Sequence, residues 1–173
     1  MNRIRVFAVA ALLGAGFCLA SFSLAADDKK AGGDKDFVMK ASASGLAEVN
    51  LSTLATTRAG NAAVKTFAQH MVADHSKANR QLLMLANKHS LTAAKTMDEK
   101  HTKLFEKLSK MEGADFDRAY MEGMVKDHEE AVKLFEKESK EGDNKDLKAW
   151  AGETLPTLKK HLQMARDLAK KDK

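Results

Sequence analysis

Two stretches of this chain repeat one pattern of apolar residues at helical spacing, and both interrupt it with the same polar pair. Met71-Val72-Ala73-Asp74-His75 returns as Met124-Val125-Lys126-Asp127-His128. Around the pentapeptide, Phe67 matches Tyr120, Ala78 matches Ala131 and Leu82 matches Phe135 at the same offset. Apolar residues three and four apart make one stripe on a helix, so each copy predicts a long amphipathic helix. Each copy also places a histidine and a carboxylate where a packed core would ordinarily take leucine.

The same periodicity runs through the rest of the chain. A first helix is expected from Asp36 to Ala59, with Phe37, Ala41, Ser44, Glu48, Leu51 and Ala55 on one face and Gly60 as its stop. The second runs from Asn61 to about His89 through Val64, Phe67, Met71, His75, Ala78, Leu82 and Leu85. Ser90-Leu91-Thr92 ends it, and a short amphipathic piece from Met97 to Lys110 leads to Gly113. A third long helix is expected from Asp115 to Glu141, a turn at Gly142-Asp143-Asn144, and a fourth helix from Lys145 to Lys170. The last carries Leu147, Trp150, Ala151, Thr154, Leu158, His161, Ala165 and Leu168 inward. No segment alternates as a strand would. Scarce aromatics (6%) and a single proline agree with helix over sheet.

Tight turns after the first and third long helices make two antiparallel hairpins. The connection from Ser90 to Ala114 is long enough to cross the whole bundle. The expected fold is therefore all-α: a ferritin-like four-helix bundle with one long crossover that contains a short helix. In that topology the second and third long helices run parallel on a diagonal, which suits their shared motif. A rise of ~1.5 Å per residue places Glu48, His75, His128 and His161 near one height, midway along the bundle.

The first 26 residues are a different material. Arg3 and Arg5 precede an apolar run from Val6 to about Ala20, and Ser23-Leu24-Ala25 and Leu24-Ala25-Ala26 both offer small-residue cleavage sites. This predicts a signal peptide over residues 1–26, a disordered polar leader over 27–35, and the bundle domain over 36–171, exported to the periplasm. The apolar run is short for a spanning helix, so no stable membrane insertion is expected after cleavage. Cys18 is the sole cysteine, and Phe17 before it is not the small residue that lipid attachment needs. The mature chain then has no thiol for a disulfide, a thiolate ligand or a nucleophile. Losing Arg3 and Arg5 takes the formal charge from +5 to +3. Scattered lysines without interleaved aromatics argue against a nucleic-acid partner, and nothing in the sequence specifies a protein partner.

The candidate metal ligands are Glu48, Asp74, His75, Asp127, His128 and His161. Burying such groups alone costs several kcal/mol each, so they must bond one another, water or a metal. Carboxylates with imidazoles suit Fe, Mn or Zn. Met71 and Met124, one turn before the two histidines, would suit Cu(I), but methionine on an apolar stripe ordinarily fills core. Neighbouring helical residues diverge by about 100°, so His75 and His128 are expected to point inward and Asp74 and Asp127 toward adjacent helices. There the carboxylates could orient a histidine from behind. The alternative is a metal-free hydrogen-bonded layer that fixes helix register in a structural or protein-interaction module of the cell envelope. No catalytic residue set and no organic-cofactor motif stands out. An oxidoreductase or hydrolase working at the metal has the least support.

Four further positions carry expectations. Pro156 should bend the last helix around the core or aim His161. His70 could pair with Asp74 at the rim. His89 sits at a helix C-terminus, where a cation is favoured. His101, within Asp98-Glu99-Lys100-His101, reads as solvated.

These residues carry a resemblance. Phe37 and Glu48 on the first helix and Phe67-x-x-x-Met71-Val72-x-Asp74-His75-x-x-Ala78-Asn79 on the second belong to it. So do Met124-Val125-x-Asp127-His128 on the third and Leu155-Pro156-x-Leu158-x-x-His161-Leu162 on the fourth. Together they resemble the exported bacterial proteins grouped as domain of unknown function family 4142. The resemblance implies a ferritin-like bundle in the periplasm or envelope and brings no established activity. Di-iron carboxylate bundles instead place Glu-x-x-His on two helices, whereas Leu158 stands three residues before His161 here. A ferritin-type oxidase centre is not expected.

Overall fold

Two tight turns and one long connection set the topology. The computed structural model describes residues 25–171, with side chains from residue 33 to residue 170. The helices are α1 (Ala25–Arg58), α2 (Ala62–Lys88), α3 (Glu99–Leu108), α4 (Gly113–Glu141) and α5 (Lys145–Lys171). Among the described residues there is no strand, only a single bridge between Ala59 and Gly113. That bridge sets the end of α1 beside the start of α4, so α2 and α4 begin at the same end of the bundle. α1 packs on α2 and α4, and α5 packs on α4 and α2. The two helices that carry the repeated motif are thus parallel and diagonal. This is the ferritin-like arrangement, with α3 lying in the crossover.

The beginning of α1 corrects the sequence reading. The polar stretch 27–35, expected as a disordered leader, is helical, and α1 starts at Ala25 instead of Asp36. The physical reason lies at its last residues. Asp34 is buried and accepts hydrogen bonds from the backbone N–H groups of Asp143 (3.2 Å) and Asn144 (3.0 Å). Docking on the α4–α5 turn fixes Asp34 as part of the helix instead of a loose leader. The signal peptide expected over 1–26 falls almost wholly on residues 1–24, outside the described residues.

The other turn is held in the same way. Asp117, on the first turns of α4, is buried and accepts from Gly60 N (3.1 Å) and Asn61 N (2.8 Å). Each hairpin's turn is therefore gripped by a carboxylate from the start of the other hairpin. Asn61 and Asn144 then cap α2 and α5, accepting from Ala63 N (2.8 Å) and from Asp146 N (3.0 Å). Gly142 begins the expected turn, with a φ of −56° that any residue could adopt. The turn needs its missing side chain: a Cβ there would meet Glu138 Oε1 at 2.6 Å and the Glu138 carbonyl oxygen at 2.7 Å.

Among the described residues the left-handed positions are Gly113, at φ 61°, and Ser90, at φ 55°. Ser90 is the one that carries a side chain. It closes α2 with paired bonds from Leu91 N to Ala86 O (2.8 Å) and from Ser90 N to Asn87 O (3.2 Å), a Schellman ending. Pro156 leaves α5 continuous over its whole length. It and Gly152, whose carbonyl it deprives of a donor, are exposed, so water can take the bond.

The core is split in two. The upper cluster includes Leu51, Val64, Phe67, Met71, Phe116, Tyr120 and Met124. The lower includes Phe37, Leu82, Phe135, Leu147, Trp150 and Leu158. Phe37 meets Phe135 edge-on at 5.1 Å, and Phe135 meets Trp150 at 5.3 Å between ring centroids. Between the clusters, at the same height on α1, α2, α4 and α5, lie Glu48, His75, His128 and His161, all buried. No helix among the described residues is long and apolar enough to cross a membrane.

Two stability changes should follow. Ser90→Gly removes the left-handed penalty and should raise unfolding free energy by about 0.5–1 kcal/mol in urea titrations. Asp117→Ala leaves two backbone donors without their charged acceptor and should cost about 2–4 kcal/mol.

Candidate metal centre

The inward histidines form a triangle. Ring centroids are 5.5 Å apart for His75 and His128, 5.4 Å for His75 and His161, and 5.6 Å for His128 and His161. One nitrogen from each ring lies within 4.8 Å of the other two. The apolar stripes of α2, α4 and α5 aim these positions at the bundle axis.

Two of the rings have their outer nitrogen engaged. His128 Nδ1 donates to the Met124 carbonyl oxygen at 2.9 Å. His161 Nε2 donates to Asp74 Oδ2 at 2.9 Å. With those protons placed, the lone pairs lie on His128 Nε2 and His161 Nδ1. Both atoms, and His75 Nε2, are buried with no hydrogen-bond partner on the protein. Hydrogen-bonding the opposite nitrogen is the usual way a ligating histidine has its tautomer and ring orientation fixed.

The surroundings keep the imidazoles neutral. Burial lowers His75 well below the ordinary histidine range, and the neighbouring His128 and His161 push it the same way. Burial also brings His128 down to about 4, against the opposing pull of the Met124 carbonyl. His161 is lowered by burial despite Asp74. Neutral imidazole is the ligating form.

The carboxylates take other positions. Asp74 is half-exposed and serves as the outer partner of His161, in place of the rim pair expected with His70. Asp127 is turned away from the triangle toward α3, where Oδ1 accepts from Lys100 Nζ at 2.8 Å and faces His101 Nε2 at 3.4 Å. Burial alone would raise its pKa, but the bonds to His101 and Lys100 outweigh that and hold it low. Glu48 stands behind the His128 ring, its Oε1 at 3.6 Å from Nδ1, and so does not join the convergent set. Burial raises Glu48 well above the carboxylate range, and the charge of Asp127 adds to the rise. Of the six expected ligands, the structure brings together His75, His128 and His161. The 100° divergence of adjacent helical residues accounts for the two aspartates.

His101 corrects another expectation. It is buried, not solvated, and bonds Asp98 through Nδ1 at 2.7 Å. Burial would lower its pKa, but Asp127 and Asp98 raise it. The signal was available: His101, Leu104 and Leu108 recur at three- and four-residue spacing on the same short helix. His89 does occupy the end of α2, paired with Asp146 at 2.8 Å.

These features define a class of protein: a ferritin-like four-helix bundle with a three-imidazole centre at mid-height. The family model described as "Domain of unknown function (DUF4142)" matches residues 20–168, and the chain belongs to that family. Among solved structures, the crystal structure of a DUF305 fragment from Deinococcus radiodurans is similar in fold. It has a TM-score of 0.71 at 12% identity, covering 80% of this chain and 96% of that one. No curated protein matches the chain.

The pH dependence of the metal-free protein follows from the neutral triad. Groups with lowered histidine pKa bind fewer protons folded than unfolded, so their contribution is present above about 6.5 and is lost as pH falls toward about 4. Glu48 acts oppositely, its contribution weakening as pH rises above the ordinary carboxylate range. Unfolding free energies of wild type and His128→Gln should therefore converge as pH drops from 6.5 to 4. Parallel curves over that window would contradict the assignment.

Proposed function

We propose that this domain is an exported module that binds one transition-metal ion at His75, His128 and His161. The observation that carries this reading is the set of three buried imidazole nitrogens, close together and without a protein partner. A layer serving only helix register would hydrogen-bond its members to one another. Leaving each acceptor unmet costs about 1–3 kcal/mol. A metal ion supplies the missing partner for all three at once.

The donor set narrows the metal. Three neutral imidazoles suit Zn(II), Cu(II), Ni(II) or Fe(II), whereas Mn(II) prefers the oxygen donors that stand outside the triangle here. Nitrogens bound to Zn(II) at about 2.0–2.1 Å lie roughly 3.3 Å from one another, so ring movements of about an ångström complete the site. Asp74 and the Met124 carbonyl hold His161 and His128 by the outer nitrogen. The Arg-led start and apolar run of residues 1–26 support export, and an exported site would meet the metal of the periplasm.

Thermal melts with chelator and with Zn(II), Cu(II) or Fe(II) test this. A metal at 100 times its dissociation constant should add about 2.7 kcal/mol of stability, with one ion per chain by elemental analysis. His75→Ala together with His128→Ala should abolish the gain. Asp74→Asn should weaken binding by about 10- to 100-fold without removing it, because it loosens His161 and leaves the ligand atom in place. Equal melts under all conditions would leave the layer as a register device in a structural or interaction module.

A further inference from the structure

The triangle does not complete a coordination shell. Three imidazoles leave a four-coordinate ion with one open position. No carboxylate joins them, since Asp74 backs His161, Asp127 faces α3, and Glu48 lies by the outer nitrogen of His128. A fourth donor has to come from outside the protein.

Space for it adjoins the triad. A cavity of about 40 Å³ is lined by His75, His161 and Glu48. The rest of its wall is largely apolar, including Ala78, Leu82, Ala131, Phe135 and Leu158. Of the three hydroxyl residues on its wall, two keep their protons on their own helices: Ser44 donates to the Ala41 carbonyl (3.2 Å) and Thr154 to that of Trp150 (2.8 Å), while Thr157 is the third. Room for water-sized occupants here is about three. The other polar groups on its wall are His75, His161 and Glu48 together with Asp74, Asn79 and Asp127; of their oxygens, Glu48 Oε2 and Asp127 Oδ2 are buried and without a partner. Ala78, Trp150, Thr154 and Thr157, with half-exposed Asp74, also line a surface groove between α2 and α5, which gives a short way in.

We propose that this cavity seats an exogenous ligand of two or three heavy atoms, giving a lone pair to the metal and lodging its far end against the apolar wall. The proposal rests on the metal-binding reading above and specifies what the metal is open to. It requires selection by size: a linear triatomic fits, and a five-membered ring does not.

The test uses the Co(II)-loaded protein, whose visible bands report both the ion and any change in its ligands. Titration with azide should shift those bands, while imidazole at the same concentration should leave them unchanged. Ala78→Leu narrows the cavity at its entrance. It should keep the Co(II) spectrum and weaken azide binding by roughly tenfold or more. Ala131→Leu narrows it from α4 and gives the same readout should Ala78→Leu fail to fold. Bound Co(II) with a spectrum indifferent to azide would overturn the ligand proposal alone. So would azide and imidazole binding equally well, or azide binding unchanged in both filled variants. Absence of any Co(II) spectrum, with Zn(II) and Cu(II) also unbound, would remove the metal-binding reading and this proposal with it.

Discussion

Three imidazoles at one height in the middle of a helical bundle impose a condition on everything around them. Their inner nitrogens meet no protein group, and the apolar material is divided into an upper and a lower cluster instead of one continuous core. A bundle built that way forgoes apolar packing across its centre. It tolerates this because the flanking clusters are dense: stacked Phe116 and Tyr120 above, and the Phe37, Phe135 and Trp150 group below. The outer shell of the triad comes largely from the same helices that supply it. Met124 lies one turn before His128, and Asp74 precedes His75 while reaching across to α5.

The heights of the four helices matter as much as their faces. A slip of one residue along any of them would move a histidine by about 1.5 Å and turn it by about 100°. Asp34 and Asp117 oppose such slips by clamping the two turns from the opposite hairpin, at opposite ends of the bundle. A third tie lies nearer the layer, where the hydroxyls of Ser52 and Tyr120 share a buried hydrogen bond of 2.8 Å between α1 and α4. The fold thus holds the register mechanically, without requiring the imidazoles to bond one another. That leaves their lone pairs available for other use.

The fold was legible because each long helix carries an apolar stripe broken mainly at the polar layer, and each tight turn carries a glycine. The crossover follows from the length of the one remaining connection. The inward histidines were legible for the same reason, since each occupies a stripe position. The carboxylates were harder. An aspartate beside an inward histidine points off the axis, and whether it meets α5, as Asp74 does, or α3, as Asp127 does, depends on which helix lies there. Glu48 sits on its stripe but at the far side of a ring, a distinction that periodicity does not carry. Asp34 lay in a stretch that read as a disordered leader and Asp117 in the polar start of a helix, and their role is visible only once the two turns are placed beside them. His101 was misjudged because charged neighbours in sequence concealed its place on the inner face of α3. The place of Asp34 within α1 likewise depends on a tertiary dock and not on local composition.

Trp150 gives the lower cluster a property beyond packing. It is the chain's single tryptophan, it is almost fully buried, and its indole forms part of the wall of the cavity beside His75 and His161. Its Nε1 reaches Gln81 on α2 at 3.4 Å, so the ring spans the seam between α2 and α5 at the side where that cavity meets the surface. Indole emission from the whole protein therefore originates at one place, on the wall of the cavity that adjoins the histidines. A quenching ion or a change of polarity there is read without any label, against no background from a second indole.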